Sequence, residues 1–109
     1  MVGKGPIALD GVLSMDNRIH KKDVEDLCRG IAALSDAEEV ARLLEDLCTI
    51  REIQDLAQRL TVARMLDAGE PYTAISERTG ASATTIARVS KALNYGSGGY
   101  ALILGEKQG

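Results

Sequence analysis

Apolar residues recur every three or four positions through three successive stretches of this chain, and that period restricts its fold more than any other feature. Val24, Leu27, Cys28, Ile31 and Leu34 form the first stripe. Val40, Leu43, Leu44 and Leu47 form the second, and Ile53, Leu56, Ala57, Leu60, Ala63 and Leu66 the third. Recurrence at i, i+3 and i+4 lines one side of an α-helix, whereas a half-buried strand needs alternation. Few β-branched residues stand in alternating runs, and Phe and Trp are absent, which disfavours a sandwich or barrel. The expected fold class is all-α. With 109 residues and 45% apolar content, the chain supports one domain around a single core.

Local signals set the helix boundaries. Ser35 with Glu38 and Thr49 with Glu52 have the spacing of capping boxes, in which a hydroxyl accepts a free first-turn N–H and a carboxylate reaches back. The helix after Thr49 ends at Gly69 as a C-cap and is expected to be the central beam. A short helix over Thr73–Thr79, a turn at Gly80-Ala81-Ser82 and a helix over Ala83–Asn94 follow. Gly96-Ser97-Gly98-Gly99 reads as a flexible joint before Tyr100–Leu104, a segment too short to be stable alone. Gly3, Gly5, Pro6 and Gly11 interrupt any period near the start, and Met15-Asp16-Asn17-Arg18 offers an alternative translation start. The expected organisation is a tail over 1–19, a helical domain over 20–96 and a Gly-jointed segment over 97–109.

The overall charge is −3, from 13 basic and 16 acidic residues, and at first argues against a nucleic-acid partner. Its distribution reverses that. Between Arg78 and Gly105 there is no acid, while Arg78, Arg88 and Lys91 are present. Any nucleic-acid site belongs in that window.

The same window carries a helix-turn-helix pattern over 72–93. Ile75, Ile86 and Val89 have the spacing to pack two short helices together, Ser76 is small at their closest approach, and Gly80 suits a turn that wants positive φ. Ser82 can cap the second helix. Ala83, Thr84, Ala87, Arg88 and Lys91 then share its outer face, beside Thr85. Small and hydroxylated residues near a helix N-terminus, with basic ones further along, suit a helix lying in a major groove. Double-stranded DNA is the expected partner. Ser82, Ala83, Thr84 and Ala87 are assigned to base-edge or cap contacts, Arg88 to a base or phosphate, and Lys91 and Arg78 to phosphate; Thr85 is counted with them as a DNA-binding candidate.

Other candidates read as structural. His20 stands among Arg18, Lys21 and Lys22 at a solvated helix start. Cys28 and Cys48 lie on apolar stripes and read as core thiols in a reducing cytoplasm. Asp36, Glu38 and Glu39 complement a helix dipole, and Asp10 and Asp16 have no partner suited to acid–base chemistry. Tyr95 and Tyr100 flank the glycine joint and are expected to pack against the recognition helix or a dimer partner. No catalytic constellation, metal site, cofactor motif, signal peptide or membrane span is readable, so an enzyme is not expected.

Residues 46–94 resemble the tryptophan repressor superfamily, specifically the small bacterial TrpR-like family called YerC/YecD. The resemblance rests on DLCTIREIQDLAQRLTVARML at 46–66, GASATTIARVSKALNYG at 80–96 and the spacing from Gly69 to Gly80. It implies an intertwined all-helical homodimer that presents two recognition helices to successive major grooves. It also implies a candidate effector pocket: Arg59 and Arg88 match the arginines that sandwich tryptophan in the repressor, and Thr49 and Thr85 match pocket threonines. The remaining pocket positions depart. Val89 replaces a glycine that admits the indole, Ala92 replaces a serine, and Asp46 and Cys48 replace two leucines. A branched side chain in the slot and a buried carboxylate beside an aromatic both oppose the ligand, so tryptophan is not expected as corepressor and any effector is unknown. The competing reading is a helical dimeric protein-interaction module that keeps the fold without specific DNA binding, favoured by the net acidity and the plain outer face.

Overall fold

The computed structural model describes residues 20–105, and the expected tail over 1–19 lies outside them. Among these described residues six helices follow one another: α1 (Lys21–Ala32), α2 (Ala37–Leu47), α3 (Ile50–Asp67), α4 (Tyr72–Thr79), α5 (Ala83–Tyr95) and α6 (Gly99–Leu104). No strand occurs among the described residues, and no helix there is long and apolar enough to cross a membrane. The described residues divide into two compact units, with the boundary between Asp46 and Leu47.

In the first unit, α1 and α2 carry the amphipathic stripes the sequence predicts, yet neither helix buries a residue within the chain. Val24, Leu34, Val40, Leu43 and Leu44 are half-buried, while Leu27 and Ile31 stay 41% and 43% exposed. Cys28 is exposed and Cys48, in the second unit, is half-buried, so neither thiol is the core residue expected. The capping arrangement before α2 is also displaced by one residue. The Glu39 N–H donates to Asp36 Oδ1 at 2.9 Å, and Glu39 Oε1 accepts from the Ser35 N–H at 2.7 Å. Asp36 therefore caps the helix in place of Ser35, and Glu39 replaces Glu38, because a carboxylate at the cap serves the free N–H groups as well as a hydroxyl does.

In the second unit, α3 starts as the sequence predicts. The Glu52 N–H donates to Thr49 Oγ1 at 3.0 Å, and the Thr49 N–H donates to Glu52 Oε1 at 2.7 Å. Its end is a Schellman motif: Gly69, at φ +84°, donates to the Leu66 carbonyl, and Glu70 donates to the Met65 carbonyl. The buried side of α3 differs from the predicted stripe. Val62, Ala63 and Met65 are its buried residues, whereas Leu56 is 44% exposed and Ala57 is exposed. The residues of α3 that pack fully with α4 and α5 lie in its second half, while Leu56 and Ala57 stay exposed and Ile53 and Leu60 half-buried.

The core sits at that second half. Val62, Ala63 and Met65 of α3 cluster with Ile75 of α4, Ala81 of the turn, and Ile86 and Val89 of α5. Leu66, Tyr100 and Leu104 pack against it partly buried, so the short segment after the glycine joint gains its helix by docking on the core.

Ile75 and Ile86 are both fully buried. Replacing either with Ala is expected to cost about 2–5 kcal/mol of stability, through lost burial and the cavity left behind, as read by urea denaturation.

Candidate nucleic-acid interface

The chain turns twice to place α5. Pro71, extended at φ −74° and ψ 156°, precedes α4, where a fixed φ and missing N–H cost nothing. α4 then stops at Gly80, whose φ of +76° is left-handed and whose N–H donates to the Ser76 carbonyl at 2.8 Å. The two glycines are the αL positions that fix the direction of α4 at each end.

Side chains complete the turn. Thr79 Oγ1 donates to the Ile75 carbonyl at 2.7 Å and accepts from the Ala81 N–H at 3.1 Å. Ser76 Oγ donates to the Ala81 carbonyl at 3.0 Å, a hydrogen-bonding role added to the small size the sequence suggested. Gln58 of α3 donates from Nε2 to the Thr79 carbonyl at 3.0 Å and ties the end of α4 to the central helix. Ala81 is 2% exposed, inserted between these groups. The sequence places Thr79 at the helix end and Ala81 in the turn without their hydrogen bonds or burial, and gives no role to Gln58. A threonine just before a terminal glycine is a readable local signal, but the Gln58 contact spans 21 residues and has none.

Ser82 caps α5, accepting from the Thr85 N–H at 3.1 Å, and its hydroxyl lies 3.1 Å from Thr85 Oγ1. Ile86 and Val89 face the core at 0% and 1% exposure. The opposite side is open: Ala83, Thr84, Ala87, Arg88 and Lys91 are exposed, as are Ser82 and Arg78, while Thr85 is half-buried. Of the eight residues assigned from sequence, Thr85 alone turns partly inward. Among the described residues, neither Arg78, Arg88 nor Lys91 forms an ion pair, so the positive charge of this face is uncompensated. The arrangement can approach a polyanion with small side chains and hydroxyls in front and cations behind.

The candidate effector residues differ in local role and exposure. Thr49 is committed to its capping box, Arg59 and Thr85 are half-buried, and Arg88 is exposed. Three clefts, of about 570, 510 and 400 Å³, are lined by none of these four. Val89 is part of the core. Asp46 is exposed, so the expectation of a buried carboxylate there is corrected, and the branched side chain remains as the objection to an indole. Tyr95 is 84% exposed in the single chain, so it does not pack on its own recognition helix, while Tyr100 packs on the core. His20 is exposed at the start of α1.

The profile of the family described as Trp repressor protein matches residues 22–108. The uncharacterized protein YerC of Bacillus subtilis (strain 168) is 49% identical over 88 residues, which are 81% of this chain and 85% of that protein. The crystal structure of a TrpR-like protein from Eubacterium eligens aligns with a TM-score of 0.74 at 44% identity, covering 81% of this chain and 91% of that one. A Staphylococcus aureus structure aligns with a TM-score of 0.72 at 41% identity, covering 76% and 83% respectively.

A Cβ added at Gly80 would meet nothing within 4 Å, so substitution there tests the backbone alone. Gly80→Ala is expected to lower stability by about 1–2 kcal/mol, the cost of a left-handed alanine, and Gly80→Asn by less. Equal denaturation midpoints for wild type and Gly80→Ala would contradict the geometry described.

Proposed function

The chain belongs to the Trp repressor protein family, in its TrpR-like YerC branch, and on that premise we propose that it is a sequence-specific DNA-binding transcriptional regulator. It acts as a homodimer, in the cytoplasm with the chromosome, and reads the major groove with α5. The observation that carries this reading is the division of α5 into a buried Ile86–Val89 side and an exposed, acid-free side bearing Thr84, Ala87, Arg88 and Lys91. A helix held by its apolar side in a helix-turn-helix offers the other side to base edges through its first turns and to phosphate further along.

Dimerisation is supported by apolar surface that the single chain leaves open: Leu47, Ile50 and Leu56 are 54%, 76% and 44% exposed. A second copy would cover them, and two-fold symmetry then sets half-sites about one helical turn of DNA apart. The regulator works without tryptophan as corepressor, because Val89 occupies the core at the position where the indole slot needs a glycine. The family relationship and the lack of a readable catalytic constellation support a binding protein over an enzyme.

A protein-interaction module is the second reading. It is favoured by the net charge of −3 and by the exposure of Leu102 (87%) and Ile103 (57%) on α6.

The deciding experiment selects binding sites from a random duplex library, with and without tryptophan, at about 100 mM salt, a concentration at which non-specific binding is already weakened. A palindromic motif is expected in both arms. A motif only with tryptophan would overturn the corepressor-free reading, and no enrichment would favour the interaction module. On the selected duplex, Arg88→Ala is expected to cost about 1–3 kcal/mol per half-site if Arg88 reads a base. Affinity should fall with salt as expected for about three to five phosphates per protomer, each contributing about 0.9 to the logarithmic slope.

A further inference from the structure

The exposed stripe of α5 does not stop at Lys91. At the helical period, Thr84, Ala87, Arg88, Lys91 and Tyr95 occupy positions i, i+3, i+4, i+7 and i+11, on one side of the helix. Tyr95 is the last residue of α5 and is 84% exposed. Its register is enforced from behind. The Gly96 N–H donates to the Ala92 carbonyl at 2.8 Å, and a Cβ at position 96 would collide with that same carbonyl oxygen. The chain therefore leaves the helix at Gly96, directly after Tyr95 has been placed on the stripe. Among the described residues the Tyr95 phenol has no hydrogen-bond partner. A tyrosine has an apolar body and a polar tip and is favoured where one end is covered and the other meets a polar partner.

We propose that Tyr95 is a DNA-backbone contact of the recognition helix, its hydroxyl donating to a phosphate oxygen that flanks the bases read by the first turns. The inference rests on the DNA-binding reading above and names a further residue of that site. Distance along the helix selects phosphate over bases. Thr84 and Tyr95 are separated by about 16 Å of axial rise, at about 1.5 Å per residue. The major groove is only about 12 Å wide and about 8.5 Å deep. With the N-terminal turns at the base edges, a residue three turns later lies at the level of the strand backbone. Lys91, one turn earlier, is a cation at the same rim. Tyr95 adds a neutral donor, so its contribution is independent of both base sequence and counterion release.

The test uses the full chain with two duplexes, one selected from the random library and one of unrelated sequence. Tyr95→Phe keeps the ring and removes the hydroxyl. It is expected to weaken binding to both duplexes by about tenfold per half-site, the usual worth of a hydrogen bond to a charged partner. Base preference, salt slope and thermal midpoint should be unchanged. Lys91→Ala, by contrast, is expected to lower the salt slope by about 0.9 per protomer. The proposal is overturned if Tyr95→Phe binds both duplexes as wild type does, if it changes the preferred sequence, or if sedimentation shows it weakening self-association. Failure of the wild-type chain to enrich or prefer any duplex is a separate result, and it removes the DNA-binding reading together with this one.

Discussion

The buried contact among Ile75, Ile86, Val89 and Val62 is the constraint on which the second unit depends. Three helices of different lengths, each too short or too polar to be stable alone, share one small apolar centre. The short turn between α4 and α5 can close over it only because Gly80 adopts a left-handed φ and Ala81 is small enough to be swallowed. Ser76, Thr79 and Gln58 then satisfy the carbonyls and N–H that this turn would otherwise strand away from helical partners. The exposed face of α5 is a consequence of that packing: once Ile86 and Val89 point inward, the period of the helix dictates which residues point out.

On the DNA-binding reading proposed above, that geometry removes an apparent conflict in the charge. A chain of net −3 seems poorly suited to meet DNA, yet its acids are concentrated before the helix-turn-helix and its uncompensated cations lie on or beside α5. Electrostatic attraction to phosphate is short-ranged at ordinary salt, with a screening length of about 8–10 Å. The local sign at the face therefore matters more than the sum over the molecule.

The site was legible in the sequence to the extent that it depends on neighbours along the chain. Gly80 in the turn, Ser82 as a cap, and Ile75, Ile86 and Val89 as packing residues all follow from spacings of a few residues, and the structure places each as expected. The apolar stripes were legible as helices but not as buried surfaces. Leu56 and Ala57 have the right period, but the residues of α3 that pack fully with α4 and α5 lie in its second half, so Val62 and Met65 are buried instead. Cys28 fails as a core residue for the same reason: periodicity identifies a face but not what lies against it. The displaced cap at Asp36 is a narrower miss, because serine and aspartate stand next to each other and each can serve that role.

The sequence by itself determined where helices lie to within a residue or so and where the chain must turn, and its motifs carried the family resemblance. The helix and turn positions depend on hydrogen bonds and dihedral preferences within a turn or two of backbone. Only the tertiary structure decided which part of each stripe is covered, that Gln58 ties α3 to the end of α4, and that Tyr95 stays exposed in the single chain. Those outcomes depend on which surfaces meet across distant parts of the chain. Burial is a property of a pair of surfaces, and one strip of sequence specifies only its own side of the pair.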